Sequence, residues 1–256
     1  MNTNKGFNLH YLRRTPMIYT ISDLHGYPVD KLKRLLKTAD FSDDDYLFIL
    51  GDVIDRNGDG GVGILRWLLT APNATLLLGN HEAMLLACEF VFEEITEETA
   101  AGITKEKLEI LSNYIDNGGD MTLRELRKLP CETQRDVFEY LKECPLYETV
   151  TAGGKDYFLL HAGFDNFRKD RKLSDYSVDE LIWTWPNLTD EYFDDIHTVF
   201  GHTPTSSLDP RFDGRILRTR TWTDIDVGAA YGNEPILFRL DDGKTFQLNK
   251  GRSRGR

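Results

Sequence analysis

Three short apolar runs in the first third of the chain, "MIYTIS", "DYLFIL" and "ATLLL", share one rhythm, and it restricts the fold more than any other feature. Each reads as a β-strand. The first two break off at polar residues and give way, within about a dozen positions, to helix-period patterns: Leu32, Leu35, Leu36 and then Ile64, Leu65, Leu68, Leu69. A β-α-β-α-β order needs crossover connections, so these strands are expected to lie parallel in one sheet. The third run passes through Gly79-Asn80-His81-Glu82 into a helix expected from about Glu82 to Ile95.

Residues from about Thr96 to Glu143 read as helical, in "KEKLEILSNYI", "MTLRELRKL" and "RDVFEYLKEC" separated by "DNGGD" and Pro130. They suggest a helical insertion at about residues 96–144 with ordinary amphipathic packing faces. After Pro145 the texture changes. "LYETVTAGGKDYFLLHAG" reads as a hairpin turning at Gly153-Gly154, and "HTVFGHT", "RILRTRTWTDID" and "PILFRLDDGKTFQL" supply further strands, the last turning at Asp241 to Lys244. The expectation is one α/β domain over residues 1–256: two sheets, parallel strands first and hairpins later, with helices outside. The charge run Asp40 to Asp45 reads as a solvated turn, and the basic tail at about residues 250–256 as disordered.

Composition excludes several classes. Of 256 residues, 40% are hydrophobic and 29% charged, near globular averages, which argues against wholesale disorder. A net charge of -11 repels phosphate backbones, so no nucleic-acid partner is expected. Cys88, Cys131 and Cys144 cannot all pair and lack a C-x-x-C spacing, which signals neither a disulfide framework nor a thiolate zinc site. No run approaches the length of a membrane span and the N-terminus lacks a signal-peptide core, so a cytoplasmic protein without a membrane partner is expected.

The chemistry gathers where the strands break. "ISDLHG" sets Asp23 and His25 after the first strand, "LGDVIDRNG" sets Asp52, Asp55 and Arg56 after the second, and "LGNHE" sets Asn80 and His81 after the third. A parallel sheet collects functional groups at the carboxyl ends of its strands. "LLHAG" and "FGHTP" add His161 and His202 after later runs, so four of the six histidines occupy such breaks. His10 and His197 belong to no such break and read as structural or surface residues.

Carboxylate oxygen and imidazole nitrogen without thiolate suit divalent ions, with manganese expected first and iron, zinc or nickel as alternatives. Asp52 has two oxygens with which to bridge two ions. Asp23 and His25 would hold one ion, and Asn80, His161 and His202 would complete the second. Such a pair would draw a phosphate to an otherwise acidic protein. Ions about 3.5 to 4 Å apart can turn a bridging water into a hydroxide and hold phosphoryl oxygens for in-line attack, without a covalent enzyme intermediate. His81 would be the general acid for the leaving oxygen, with Asp55 orienting its imidazole, and Arg56 would clamp phosphate oxygens bidentately.

Taken in order, "SDLHG", "GDVIDRNG", "GNHE", "HAG" and "GHTP" resemble the signature blocks of the calcineurin-like metallophosphoesterases, specifically the phosphoprotein phosphatase family. "NGGDMTL", Asn117 to Leu123, and "IDVGAAYG", Ile225 to Gly232, resemble further segments of its bacterial and phage branch. The resemblance implies an αββα two-sheet sandwich, two metal ions and phosphoester hydrolysis, with the roles above carried by the same residues. Asp55-Arg56 and Glu82 match the protein phosphatases, which implies phosphoserine or phosphothreonine as substrate, with phosphotyrosine as an extension. The related symmetrical dinucleoside tetraphosphatases usually lack that aspartate and carry Asp in place of the glutamate.

Two positions depart from the pattern. Asn57 stands where glycine is usual, and Asn tolerates the left-handed conformation. A second phosphate-binding arginine is expected two residues after a tryptophan, and "LIWTWP" offers Trp183 followed by Trp185. Either Arg168, Arg171 or Arg220 reaches the site instead, or the substrate is held differently, with Trp185 stacking on an aromatic ring or a nucleobase. A dinucleoside tetraphosphate hydrolase and a non-catalytic phospho-ligand binder of the same fold therefore stand as alternatives.

Overall fold

The computed structural model describes residues 15–94 and 96–249. The chain opens with β1 (Ile18–Ile21), α1 (Val29–Thr38), β2 (Tyr46–Ile49), α2 (Val62–Leu68) and β3 (Ala74–Leu76), the expected alternation. α3 (Asn80–Ala87) follows. It starts earlier than the periodicity suggests because Glu82, in its first turn, accepts the Gly79 N–H at 3.1 Å and so anchors the helix start. A 3₁₀ turn, Glu89–Phe92, succeeds it, and the expected helix end at Ile95 lies outside the described residues.

Four helices occupy the next stretch: α4 (Glu97–Ala101), α5 (Lys105–Asp116), α6 (Asp120–Leu126) and α7 (Cys131–Lys142). Thr96 and Thr104 cap α4 and α5 by accepting the N–H groups of Thr99 and Lys107. Then come β4 (Tyr147–Ala152), β5 (Lys155–Leu160), α8 (Asp179–Ile182), β6 (His197–Phe200), α9 (Thr205–Leu208), β7 (Leu217–Arg218), β8 (Trp222–Asp224), β9 (Leu237–Arg239) and β10 (Thr245–Phe246).

These strands form two five-stranded sheets. The first has the order β10-β9-β1-β2-β3, with β1, β2 and β3 parallel and β9 antiparallel to β1. The hairpin at Asp241 to Lys244 is as expected, but it completes this first sheet. The second has the order β4-β5-β6-β8-β7. Hairpins flank it, with Ala152 opposite Lys155 at the Gly153-Gly154 turn, yet its centre is parallel: His197 pairs with Tyr157 and Trp222 with Thr198. That corrects the expectation of hairpins alone. The chain between Leu160 and His197 is long enough for a crossover, but it holds only one-turn helices and so leaves no periodic signature.

Alternation along the strands builds the layers. Leu47 and Ile49 join Tyr19, Ile21, Leu32 and Leu35 on the outer, helix-covered face of the first sheet. Phe48 and Leu50 turn the other way and meet Tyr157, Leu159 and Val199 between the sheets. Phe158, Leu160, Phe200 and Trp222 line the outer face of the second sheet, where Phe164 and Tyr192, ring centroids 5.2 Å apart, belong to an aromatic loop that supplies most of the cover. The α/β two-sheet sandwich stands, with a thick helical layer on one side and a thin one on the other.

Asp45 departs from the solvated-turn reading. It is buried, and its carboxylate accepts the N–H groups of Met17 and Ser42 at 2.8 Å each, joining the starts of β1 and β2. His197 is structural, its Nε2 2.9 Å from Thr223 Oγ1, whereas His10 and the basic tail lie outside the described residues. All three cysteines are free, and no helix among the described residues is long and apolar enough to cross a membrane.

Leu159 is fully buried between the sheets. Leu159→Ala is expected to lower stability by about 2–5 kcal/mol, the usual cost of truncating a core leucine, read as a shift of the urea midpoint. An unchanged midpoint would contradict the layer assignment.

Candidate metal centre

Each sheet contributes three parallel strands whose carboxyl ends converge. β1 delivers Asp23 and His25, β2 delivers Asp52, and Asn80 opens α3 just after β3. From the second sheet, β5 delivers His161, β6 delivers His202 and β8 delivers Asp226. The backbone must turn sharply to return these side chains to one point. Among the described residues, six of the eight non-glycine positions with positive φ are Asp23, His25, Asp52, Asp55, Arg56 and His202. Such left-handed positions are strained for non-glycine residues and persist only where the surroundings impose them. Asn57 is not among them: the demand the sequence suggested for it falls on Asp55, Arg56 and Gly58.

The convergence is tight. Asp52 Oδ1 lies 3.4 Å from His161 Nε2, and Asp52 Oδ2 lies 3.6 Å from His25 Nε2. Asn80 Oδ1 stands 2.9 Å from His161 Nε2 and 3.0 Å from His202 Nδ1. Asp23 Oδ1 is 4.0 Å from His25 Nε2. Two sets of donor atoms, one on His25, Asp52 and His81 and one on Asp52, His161 and His202, each fall within 4.8 Å of one another. Asp52 is common to both.

Carbonyl groups orient two of these imidazoles. His25 Nδ1 donates to Ile54 O at 3.1 Å and His161 Nδ1 to Leu50 O at 2.7 Å, so both Nε2 lone pairs face the cluster. Burial lowers the pKa of both imidazoles well below the usual histidine value and so favours the neutral ligand form. The carboxylates respond in the opposite direction. Burial, followed by the neighbouring charges of Asp226 and Asp52, raises Asp23 well above the carboxylate range; burial and then Glu82 do the same to Asp52. Asp23 Oδ1 and His202 Nε2 are buried without any hydrogen-bond partner. Orphaned donor atoms among crowded buried carboxylates fit a site for divalent cations.

His81 faces the same cluster but is engaged at both nitrogens. Its Nδ1 donates to Asp55 Oδ2 at 2.6 Å, and Arg56 Nη2 lies 3.0 Å from its Nε2. Because a guanidinium only donates, Nε2 accepts. The other oxygen of Asp55 accepts hydroxyls from Tyr114 at 2.7 Å and Thr122 at 2.5 Å, one from α5 and one from α6. Those contacts give the helical stretch a task that its amphipathic pattern does not reveal. Gly118 O accepts the Arg56 N–H at 3.1 Å, and a Cβ at Gly118 would press on Arg56, so close backbone approach is what "NGG" provides.

Glu82 is not directed at the cluster. Its carboxylate is fully buried and accepts the N–H groups of Asp52 at 2.8 Å, Val53 at 2.9 Å and Gly79 at 3.1 Å, locking the end of β2 to the end of β3. Gly79 has extended backbone with φ of -95°, so it is needed for space: a Cβ there would strike the Asp52 and Glu82 carboxylates.

The cluster floors a cavity of about 200 Å³ lined also by Arg56, Asn117, Trp183, Trp185, Asp226 and Tyr231. Trp185 is thus placed at the site, as its position in the motif suggested. Arg168, Arg171 and Arg220 are not: Arg171 is paired with Glu180, Arg220 with Glu191 and Asp194, and Arg168 lies near Asp170. Among the described residues Arg56 is the one Lys or Arg lining this cavity. Sequence reasoning missed Asp226, which burial pushes up to about 6, and Tyr231. Asp226 follows β8, whose sequence Trp-Thr-Asp is not an apolar run, so the strand-end pattern that marked the others is missing there.

Glu82→Gln would set an amide donor against a backbone N–H. We expect about 10–100-fold weaker divalent-cation binding in calorimetric titration, the usual effect of disturbing the support of a ligand set. Wild-type affinity in that variant would remove Glu82 from the scaffold of the site.

A family model described as calcineurin-like phosphoesterase matches residues 17–232. A symmetrical bis(5'-nucleosyl)-tetraphosphatase of Acidovorax sp. (strain JS42) is 28% identical over 148 residues, covering 57% of this chain and 43% of that protein. The chain thus spans less than half the length of that curated relative. Another of the same name, from Pasteurella multocida (strain Pm70), is 25% identical with 89% of this chain and 95% of that one covered. A crystal structure assigned as a diadenosine tetraphosphatase superposes with a TM-score of 0.59 at 19% identity, covering 92% of this chain and 94% of that one, a likeness of fold.

Proposed function

The chain belongs to the calcineurin-like phosphoesterase family, and on that premise we propose that it hydrolyses phosphate monoesters on protein side chains. Two divalent cations would be held by Asp23, His25, Asp52, Asn80, His161 and His202, with Asp52 shared. When bound, they would supply the Lewis acidity that polarises phosphoryl oxygens and acidifies a water for attack. Manganese is the first candidate, and iron, zinc or nickel would suit the same donors.

The observation that carries the reading is the chain Tyr114/Thr122–Asp55–His81–Arg56. Both hydroxyls saturate Asp55 Oδ1, which leaves Oδ2 to hold the His81 Nδ1 proton and aims Nε2 into the cavity. With Arg56 donating to it, Nε2 accepts and does not donate in this arrangement. A phosphoryl group competes for the guanidinium, whose fork suits two phosphate oxygens. Once Arg56 turns to the substrate, Nε2 is free to take a proton from solvent water, the imidazolium being held by Asp55, and to pass it to the ester oxygen as its bond to phosphorus breaks.

A second reading, symmetrical hydrolysis of a dinucleoside tetraphosphate, is favoured by what the two relatives are named for. Against it stands the Asp55–His81 pair, which a polyphosphate leaving group, already a weak base, needs least. A panel of phosphopeptides, an aryl phosphate and diadenosine tetraphosphate, assayed with Mn2+, separates the readings. We expect the monoesters to be turned over; preference for the dinucleotide would establish the second reading. Phosphopeptide binding without phosphate release under every divalent ion would instead indicate a non-catalytic binder.

His81→Asn removes the proton donor and leaves the six metal-binding side chains in place. Its kcat should fall about 10²- to 10⁴-fold, the range for loss of a general acid, with cation content by elemental analysis retained. Unchanged turnover would take His81 out of the mechanism.

A further inference from the structure

The mouth of the cavity carries one guanidinium and three aromatic side chains that the phosphate chemistry does not require. Trp183 and Trp185 stand edge-on to His202, their ring centroids 6.1 and 6.5 Å from the imidazole. Trp185 is 64% exposed and Tyr231 73% exposed, and the Tyr231 ring lies 5.9 Å from the guanidinium carbon of Arg56. Large rings left open to water beside a cluster of polar groups are the usual material of a recognition surface.

We propose that the site is built for aryl phosphates, with Trp185 as the specificity-determining residue that packs on the ring of a phosphotyrosyl side chain. This rests on the monoesterase reading above and narrows it. With Arg56 the one Lys or Arg among the cavity-lining described residues, the phosphoryl group has a single fork to grip, so further binding free energy has to come from the leaving group. Both indoles stand beside His202, itself in the cluster, and line the same cavity, so aromatic surface adjoins the proposed metal ligands. In a tyrosyl ester the ring is bonded directly to the ester oxygen and meets that surface. A seryl or threonyl ester presents one aliphatic carbon and then backbone. In a dinucleoside tetraphosphate, ribose and further phosphate separate the base from the bond to be broken. Hydrolysis cleaves the bond from phosphorus to the phenolic oxygen and a water oxygen takes its place; the phenolic oxygen receives a proton that His81 Nε2 has taken from solvent, the attacking water releases one in return, and tyrosine and inorganic phosphate leave.

The test uses the full chain with Mn2+ and two peptides identical except for phosphotyrosine or phosphothreonine, with diadenosine tetraphosphate as a third substrate. Wild type should favour the phosphotyrosyl peptide in kcat/KM, and Trp185→Ala should shrink that ratio by about two- to tenfold, mainly through KM, the span that one aromatic pair provides. Trp185→Phe should keep most of the preference, and Trp185→Arg should shift it toward phosphothreonine by adding a second fork. A peptide carrying a non-hydrolysable phosphonomethyl-phenylalanine should change the intrinsic tryptophan fluorescence of wild type more than that of Trp185→Phe. Equal kcat/KM on both peptides in wild type, or an equal loss on both in Trp185→Ala, overturns the aromatic proposal and leaves the monoesterase reading standing. Turnover of the dinucleotide alone overturns both.

Discussion

Asp52 carries one buried carboxylate to the floor of the cavity, and each of its oxygens has a different imidazole for company: His161 on one side, His25 on the other. Everything around it answers to that placement. Its own N–H is taken by Glu82, its Oδ1 also receives the His81 N–H at 3.1 Å, and its φ is left-handed. Asp23, Asp55, Glu82, Asp224 and Asp226 are buried as well, and among the described residues Arg56 is the one Lys or Arg that lines the cavity beside this concentration of desolvated acid. Such an arrangement is unfavourable by itself. It makes physical sense as a receptacle for cations, and the same burial favours the neutral form of the His25 and His161 imidazoles.

What was legible in the sequence was what depends on short spans. The first three strands are marked by apolar runs that end in polar residues, and the strand-end rule placed Asp23, His25, Asp52 and Asn80 at the carboxyl ends of one parallel sheet, while His161 and His202 were marked only by the breaks after their own apolar runs. The structure brings those six together, with Arg56, His81 and Trp185 around them. The centre of the second sheet was not legible. β6 and β8 are four and three residues long, and aromatic loops replace the helices that usually betray a parallel crossover.

Contacts across long sequence distances were equally hidden. Tyr114 and Thr122 look like members of amphipathic helices, and nothing near them hints that their hydroxyls end on a carboxylate 59 and 67 positions earlier. Asp45 sat in an acidic run that reads as solvent-facing, but two backbone amides draw it inward. The requirement for glycine at position 79 is likewise tertiary, since crowding by the Asp52 and Glu82 carboxylates excludes a side chain there. In each case the missing information was tertiary: which backbone groups lacked partners, and which side chain could reach them.

The six strand ends belong to two sheets, and the apolar filling between those sheets, together with hydrogen bonds such as Tyr157 Oη to Leu240 O at 3.0 Å, sets how far apart they stand. Leu50 shows the connection at its most direct, since its side chain is part of that filling while its carbonyl orients His161. The interior therefore acts as a spacer gauge for the ligands. A bulkier or thinner residue at Val199 or Leu77, both in that filling, would open or narrow the jaw in which the imidazoles of one sheet meet the carboxylates of the other. Affinity for ions of different radius is in that sense written into the girth of the hydrophobic layer, well away from the residues that bind them.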